Sequence, residues 1–474
     1  TFPVEEIDEA WKKVLLNQFH DILPGSSIAR VYEEAEAAYA EVVEIADQVA
    51  EQAAIQLTEG GEGLTFFNDL PWERKAMVAL PETLSGAIDA AGEPLPIQTV
   101  EGATYTEVTI PSCGWTSIES GAAYEVDNPF TVSDTLLEND LLRVTFNERG
   151  EITSLVDKTA RLGEYAAGPC NVFKMFKDVP TKFDAWDIDS MYENTPVDLD
   201  EAAEIEVVAA GPLVGILRVT RTLHDSTLIQ EISLRRGSRR IEFKTSVDWQ
   251  ERHKLLKVAF PVTVHANEAL HEIQFGHIAR PNHRSRPFDE DRFEVANQKW
   301  TALVEAERGF AVLNDCKYGV NVLHNTINLT LLKSAMAPDM EADRGLQTFT
   351  YAVRPWTGTF ADSPVVMEGY ELNAPVLTIP GTAKPASLFS VSSPNIVIEA
   401  VKPAEDGSSD IIVRLYESKR TATVCTLETA LQVDSAVETD MLEASAVNEL
   451  ACDDGAIDLV FRPFEIKSVR LALA

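Results

Sequence analysis

Positive charge is what this sequence most lacks. Forty Lys and Arg face 76 Asp and Glu, giving a formal net charge of −36. A phosphate-binding surface needs clustered cations, so nucleic acid and anionic membranes are excluded as partners. The acidic excess reads as a solvated surface that keeps the protein soluble. Long apolar runs are missing too, none approaching the roughly 20 residues that a helix needs to span a bilayer. Cysteine is scarce. Cys113, Cys170, Cys316, Cys425 and Cys452 are widely spaced and form no CxxC, which points to reduced, mostly buried thiols and a cytoplasmic setting. No GxGxxG opens a helix, no GxSxG elbow is present and no DxDxDG loop ends in a distal Glu, so nucleotide cofactors, serine hydrolysis and an EF-hand have no support.

What is present begins near the N-terminus. Val4, Ile7, Trp11, Leu15 and Phe19 recur at steps of three and four, which predicts a helix with one buried face. His20 lies about 100° round from Phe19 on such a helix. Pro24 and Gly25 turn the chain, and Ser26 or Ser27 can cap a following helix. His20 and Asp21 are thus expected in the last turn of a helix anchored by Trp11 and Phe19. By spacing alone the pair is half a metal site at most. The plain reading is a helix-end histidine beside a solvated carboxylate. Ile28, Val31, Ala35, Ala38, Val42, Ile45 and Val49 continue a second helix, antiparallel to the first. Two helices cannot bury their apolar faces alone, so further helices are expected upstream.

A chain of 474 residues is too long for one core. Gly60, Gly61 and Gly63 mark the first linker, after which the hydrophobic period changes from 3.6 to 2. Runs at Leu137–Phe146, Ile152–Val156, Leu213–Thr222, Leu228–Leu234, Arg240–Asp248 and Leu256–Val264 read as antiparallel strands. Residues 366–390, with Pro375, Pro380 and Pro385, read as a connection. The expected fold is mainly β with an N-terminal helical hairpin: a large antiparallel supersandwich plus smaller β-sandwich domains. The expected boundaries are 1–58 for the helical remnant, 59–125 for a small β domain, 126–385 for the supersandwich and 386–474 for a terminal sandwich. That last sandwich can share a sheet with residues 64–120.

Two further polar clusters are candidates for chemistry. Asp184, Asp187 and Asp189 offer oxygen ligands to a hard cation, but a solvated or capping loop explains them as well. His271 and Glu272 open like HExxH, yet position 275 is Phe, so a zincin is excluded and structural roles are expected for His271, His277 and His283.

Asn17-Gln18-Phe19-His20-Asp21-Ile22-Leu23-Pro24-Gly25-Ser26-Ser27 resembles the segment through which the helical middle domain of glycoside hydrolase family 38 α-mannosidases reaches the active site. The stretch Leu137–Lys158, the Asp184-Ala185-Trp186-Asp187 run, Phe293-Glu294-Val295 and Lys299-Trp300 resemble the same family. The resemblance implies that His20 is one of four zinc ligands and that Asp21 hydrogen-bonds sugar hydroxyls. It also implies that Asp343 and Arg344 sit on loops that approach the cleft and contact substrate. The other zinc ligands, a His and two Asp, belong in that family to an N-terminal α/β domain, one Asp usually being the nucleophile. Nothing in this sequence matches that domain, so no catalytic residue is expected in this chain. The chain opens at Thr1, and it is read as the C-terminal part of a longer enzyme, inactive alone. Gln298, Ala302 and Gln347 depart from the family pattern, which has His, Asp and His there.

The function implied is that of a retaining, zinc-dependent α-mannosidase hydrolysing terminal α-mannosides of oligosaccharides. Assembly into a homo-oligomer is compatible with the sequence. Two rivals are a non-catalytic carbohydrate-binding β-sandwich and an HD-type metal phosphohydrolase. The second needs further His and Asp ligands on nearby helices, and residues 29–63 contain no His.

Overall fold

The computed structural model describes residues 2–474. Two helices, α1 (Val4–Asn17) and α2 (Ala29–Ile55), pack antiparallel at the N-terminus. An ion pair between Lys13 and Glu41 ties them. The helix ends earlier than its apolar period suggests. α1 stops at Asn17, whose side-chain amide donates back to the Lys13 carbonyl at 3.0 Å. His20 and Asp21 therefore stand in a turn between the helices and not in the last helical turn. Neither serine caps α2. The Asp21 carbonyl, left without a helical donor, accepts the Ser27 hydroxyl at 2.6 Å instead. The apolar face expected to be buried is open: Trp11 is 58% and Leu15 61% exposed. A helix in a hairpin gains one neighbour, and the stripe on its far side then meets solvent.

After the hairpin the chain is antiparallel β structure. Strands Glu59–Asn68 and Gly114–Ser120 form the middle of one sheet, which packs on a second sheet of Arg74–Leu80, Ile97–Val100 and Ala103–Ile110. Phe66, Val108, Ile110 and Ile118 close the space between them. The strand Leu377–Thr382 returns from far along the chain to pair with Glu59–Asn68, and Ala386–Ser387 pairs with Gly114–Ser120.

The largest body is a sandwich. Its nine-stranded sheet runs from Glu204–Ala210 through Ser226–Arg235 and Gly345–Thr357 to Gly276–Pro281. A six-stranded sheet that includes Val172–Lys177, Lys254–Pro261 and Thr326–Lys333 faces it. Side chains alternate in and out, so Leu228, Gln230, Ile232 and Leu234 of one strand all point inward. Trp249, Phe243, Phe260 and Phe310 fill the centre. The final strands form a smaller two-sheet unit around Val413, Leu415, Leu427 and Val469.

The segment read as a mere connection is ordered. Val365–Asn373 is a helix that buries Val365 and Val366, and Leu377–Thr382 is a strand. Pro380 sits in that strand opposite Leu64, where the strand is the edge of its sheet and proline costs no inward hydrogen bond.

Candidate functional site

The turn after α1 presents His20 and Asp21 to the outside. Their side chains are 70% and 48% exposed, and His20 Nε2 lies 3.4 Å from Asp21 Oδ2. The imidazole leans on Phe19, with ring centroids 4.4 Å apart. Serine hydroxyls and the Tyr32 phenol gather on the Asp21 carbonyl, so the backbone is braced while both functional groups stay free.

Asp21 and Ser26 line one side of a cavity of about 520 Å³. Its other walls come from the sandwich: Pro180–Trp186 and the Ala337-Pro338 pair. The two sandwich loops are pinned to each other. Asp184 accepts the Met336 and Ala337 amides at 2.6 and 3.1 Å, with His253 Nε2 at 3.1 Å. Asp189 accepts the amide and hydroxyl of Thr181. Lys333 pairs with Asp178 and donates to the Asp187 carbonyl at 2.8 Å. Asp184 and Asp189 are thus spent on loop closure.

Asp343 and Arg344 follow on the same stretch but do not line this cavity. Asp343 has a φ of 59°, and Arg344 pairs with Glu341 and donates to Gln250 Oε1 at 3.1 Å. His271 and His277 are structural in their contacts, whereas His283 is part-exposed and approaches Asp289 at 3.8 Å. His271 is buried against the Thr301 hydroxyl, and burial, helped by Arg280, pushes its pKa down to about 3. Glu272 pairs with Lys299 at 3.1 Å. His277 sits among Trp300, Phe360 and Phe464 and donates to the Ser418 carbonyl at 3.3 Å.

Sequence reasoning overlooked one cluster. His224, Asp225 and Glu251 bring a ring nitrogen and carboxylates together at 2.9–3.2 Å, the one such group of three among the described residues. Glu251 also accepts the Asp225 amide and the Ser226 hydroxyl, so it braces the hairpin tip. A second His-Asp dipeptide in a turn was the available signal. Around His20 no comparable group exists among the described residues, so this chain offers a metal there one open imidazole and no complete donor set.

Three family profiles match the chain: "Alpha mannosidase middle domain" over residues 1–57, "Glycosyl hydrolases family 38 C-terminal domain" over 137–341 and "Glycosyl hydrolases family 38 C-terminal beta sandwich domain" over 395–469. The chain belongs to glycoside hydrolase family 38. Among family 38 relatives, human Alpha-mannosidase 2C1 is 37% identical over 499 residues, which takes in 100% of this chain and 46% of the human protein. Alpha-mannosidase G of Dictyostelium discoideum is 29% identical, covering 99% of this chain and 48% of that protein. This chain therefore spans about half the length of the curated relatives it matches. A solved family 38 protein from Enterococcus faecalis shares the fold over 100% of this chain and 66% of its own, at 16% identity and a TM-score of 0.82.

Proposed function

We propose that this chain is the C-terminal half of a retaining, zinc-dependent α-mannosidase that removes terminal α-mannosides from oligosaccharides. The supporting observation is the open His20–Asp21 pair, whose Asp21 lines a cavity together with sandwich loops, in a chain matched end to end by α-mannosidases. The pieces that cut the bond lie outside this chain in this reading. Retaining hydrolysis uses two carboxyl groups about 5–5.5 Å apart, one as nucleophile and one as acid and then base.

The residues of this chain bind and orient. His20 donates one imidazole nitrogen to zinc, whose other donors come from beyond residue 1. A bound zinc supplies a charged template for sugar hydroxyls. Ligation needs the unprotonated nitrogen, so metal affinity falls as pH falls. Asp21 accepts a hydrogen bond from a mannose hydroxyl, strengthened by its charge. Asp343 and Arg344, which stand outside the cavity, are assigned as outer contacts to substrate. The five free cysteines support residence in a reducing compartment, the cytoplasm.

Kinetics on the full-length protein tests this. Asp21→Asn keeps the shape of the side chain and removes its charge. It is expected to lower kcat/KM on an aryl α-mannoside by about 10–100-fold, the worth of a charged hydrogen bond. Residues 1–474 alone are expected to release no product from it. Unchanged kinetics in Asp21→Asn, or turnover by the isolated chain, contradicts the assignment.

A further inference from the structure

Two aromatic side chains line the cavity with Asp21, and packing does not explain them. Phe183 is 65% and Trp186 59% exposed, although both belong to a loop rich in hydrogen bonds. Their rings meet edge to face, with centroids 5.9 Å apart. The loop is arranged the reverse of the usual way. Asp184, between them, turns inward to two backbone amides and His253, while the apolar rings turn outward. Phe183 also holds a φ of 54°, in the left-handed region where a bulky side chain is an outlier. Its carbonyl accepts the amides of Trp186 at 2.7 Å and Asp187 at 2.9 Å, which sets both rings on one tight turn. Such strain, with apolar surface exposed, is retained where the arrangement does something.

The cavity is of ligand size, about 520 Å³ against the roughly 300–1,000 Å³ usual for small-molecule sites. Its walls pair an aromatic surface with a few hydrogen-bonding groups. That combination fits a pyranose, whose C–H bonds make one ring face apolar while hydroxyls line its edge. Lys182 is the one cation among the lining residues and Asp21 and Asp184 the acids, so no anionic ligand is selected.

We propose that Phe183 and Trp186 form a subsite for the sugar ring on the leaving-group side of the bond to be cut. The subsite rests on the mannosidase reading above. There Asp21 holds the terminal mannose, and the aromatic wall lies across the same cavity, where the next ring of the chain must pass. Trp186 stacks on that ring, and Phe183, pressed edge-on against the indole, fixes its orientation. Asp184 acts as a positioning residue by holding the turn that carries both.

The test compares two substrates on the full-length enzyme. α-Mannosyl fluoride has no second ring; an α-linked mannobiose has one. In Trp186→Ala the ratio of kcat/KM for mannobiose to that for the fluoride is expected to fall about tenfold, carried by KM, the order of magnitude of one aromatic contact. Trp186→Phe is expected to recover most of the ratio. An unchanged ratio overturns the subsite. So does an equal loss on both substrates, which marks a general disturbance. A wild type that hydrolyses neither overturns the mannosidase reading itself, and the subsite falls with it.

Discussion

His271 is sealed in the supersandwich at 1% exposure, and burial holds its pKa at about 3 against an ordinary 6.5. His20, in contrast, stands open on a turn. Between pH 6.5 and 3 the unfolded chain takes up a proton at residue 271 and the folded chain does not. Stability therefore rises with pH across that window, is whole above it and is lost as the pH falls through it. In urea titrations of this chain, His271→Gln is expected to flatten the pH dependence there by up to about 1.4 kcal/mol per pH unit, the effect of one proton. An unaltered slope means the ring titrates in the fold. The sequence distinguished these two histidines only partly. The Phe at position 275 removed the zincin reading, yet the Thr301 hydroxyl that partners His271 is 30 residues away and invisible to spacing. The same holds for Asp184, whose acidic surroundings suggested ligands but whose partners are amides 152 and 153 residues on.

At the scale of elements, periodicity served well where one face meets a core. The runs read as strands at Leu228–Leu234 and Arg240–Asp248 pair as a hairpin, Leu234 opposite Ile241. It served poorly in two places. Prolines at 375, 380 and 385 read as a breaker run, because an edge strand tolerates proline and only the tertiary pairing reveals an edge. The face of α1 read as buried, because a helical stripe announces a need for a partner without supplying one. That gives a prediction. Trp11→Gln in residues 1–474 is expected to shift unfolding stability by no more than about 0.5 kcal/mol, the usual limit for an exposed position. In the longer protein, where further helices are proposed to cover that face, the same change is expected to cost about 3–5 kcal/mol. Chemical denaturation of both chains decides it, and a large loss in the short chain contradicts the open face.

For the whole molecule, the helix Val365–Asn373 joins the three β units. Glu371 accepts the Trp72 indole N–H at 3.2 Å and pairs with Arg240 at 3.3 Å, while Tyr370 donates to Glu399 and meets the Tyr416 hydroxyl at 2.8 Å. Lys419 adds bonds to the carbonyls of Ala361 and Ser363, both at 2.7 Å. The sandwich loops are held by Asp184, Asp189 and Lys333, and their aromatic wall lines one cavity with Asp21. The proposed division of labour follows: the hairpin brings one metal donor, the sandwich shapes the cavity, and the bond-cutting groups arrive from outside the chain. The most direct check is the zinc content of the purified full-length protein, wild type against His20→Ala, by elemental analysis. The account predicts about one zinc per chain in the wild type and a loss of most of it in the variant, with the β units still folded. Equal zinc in both proteins would contradict it.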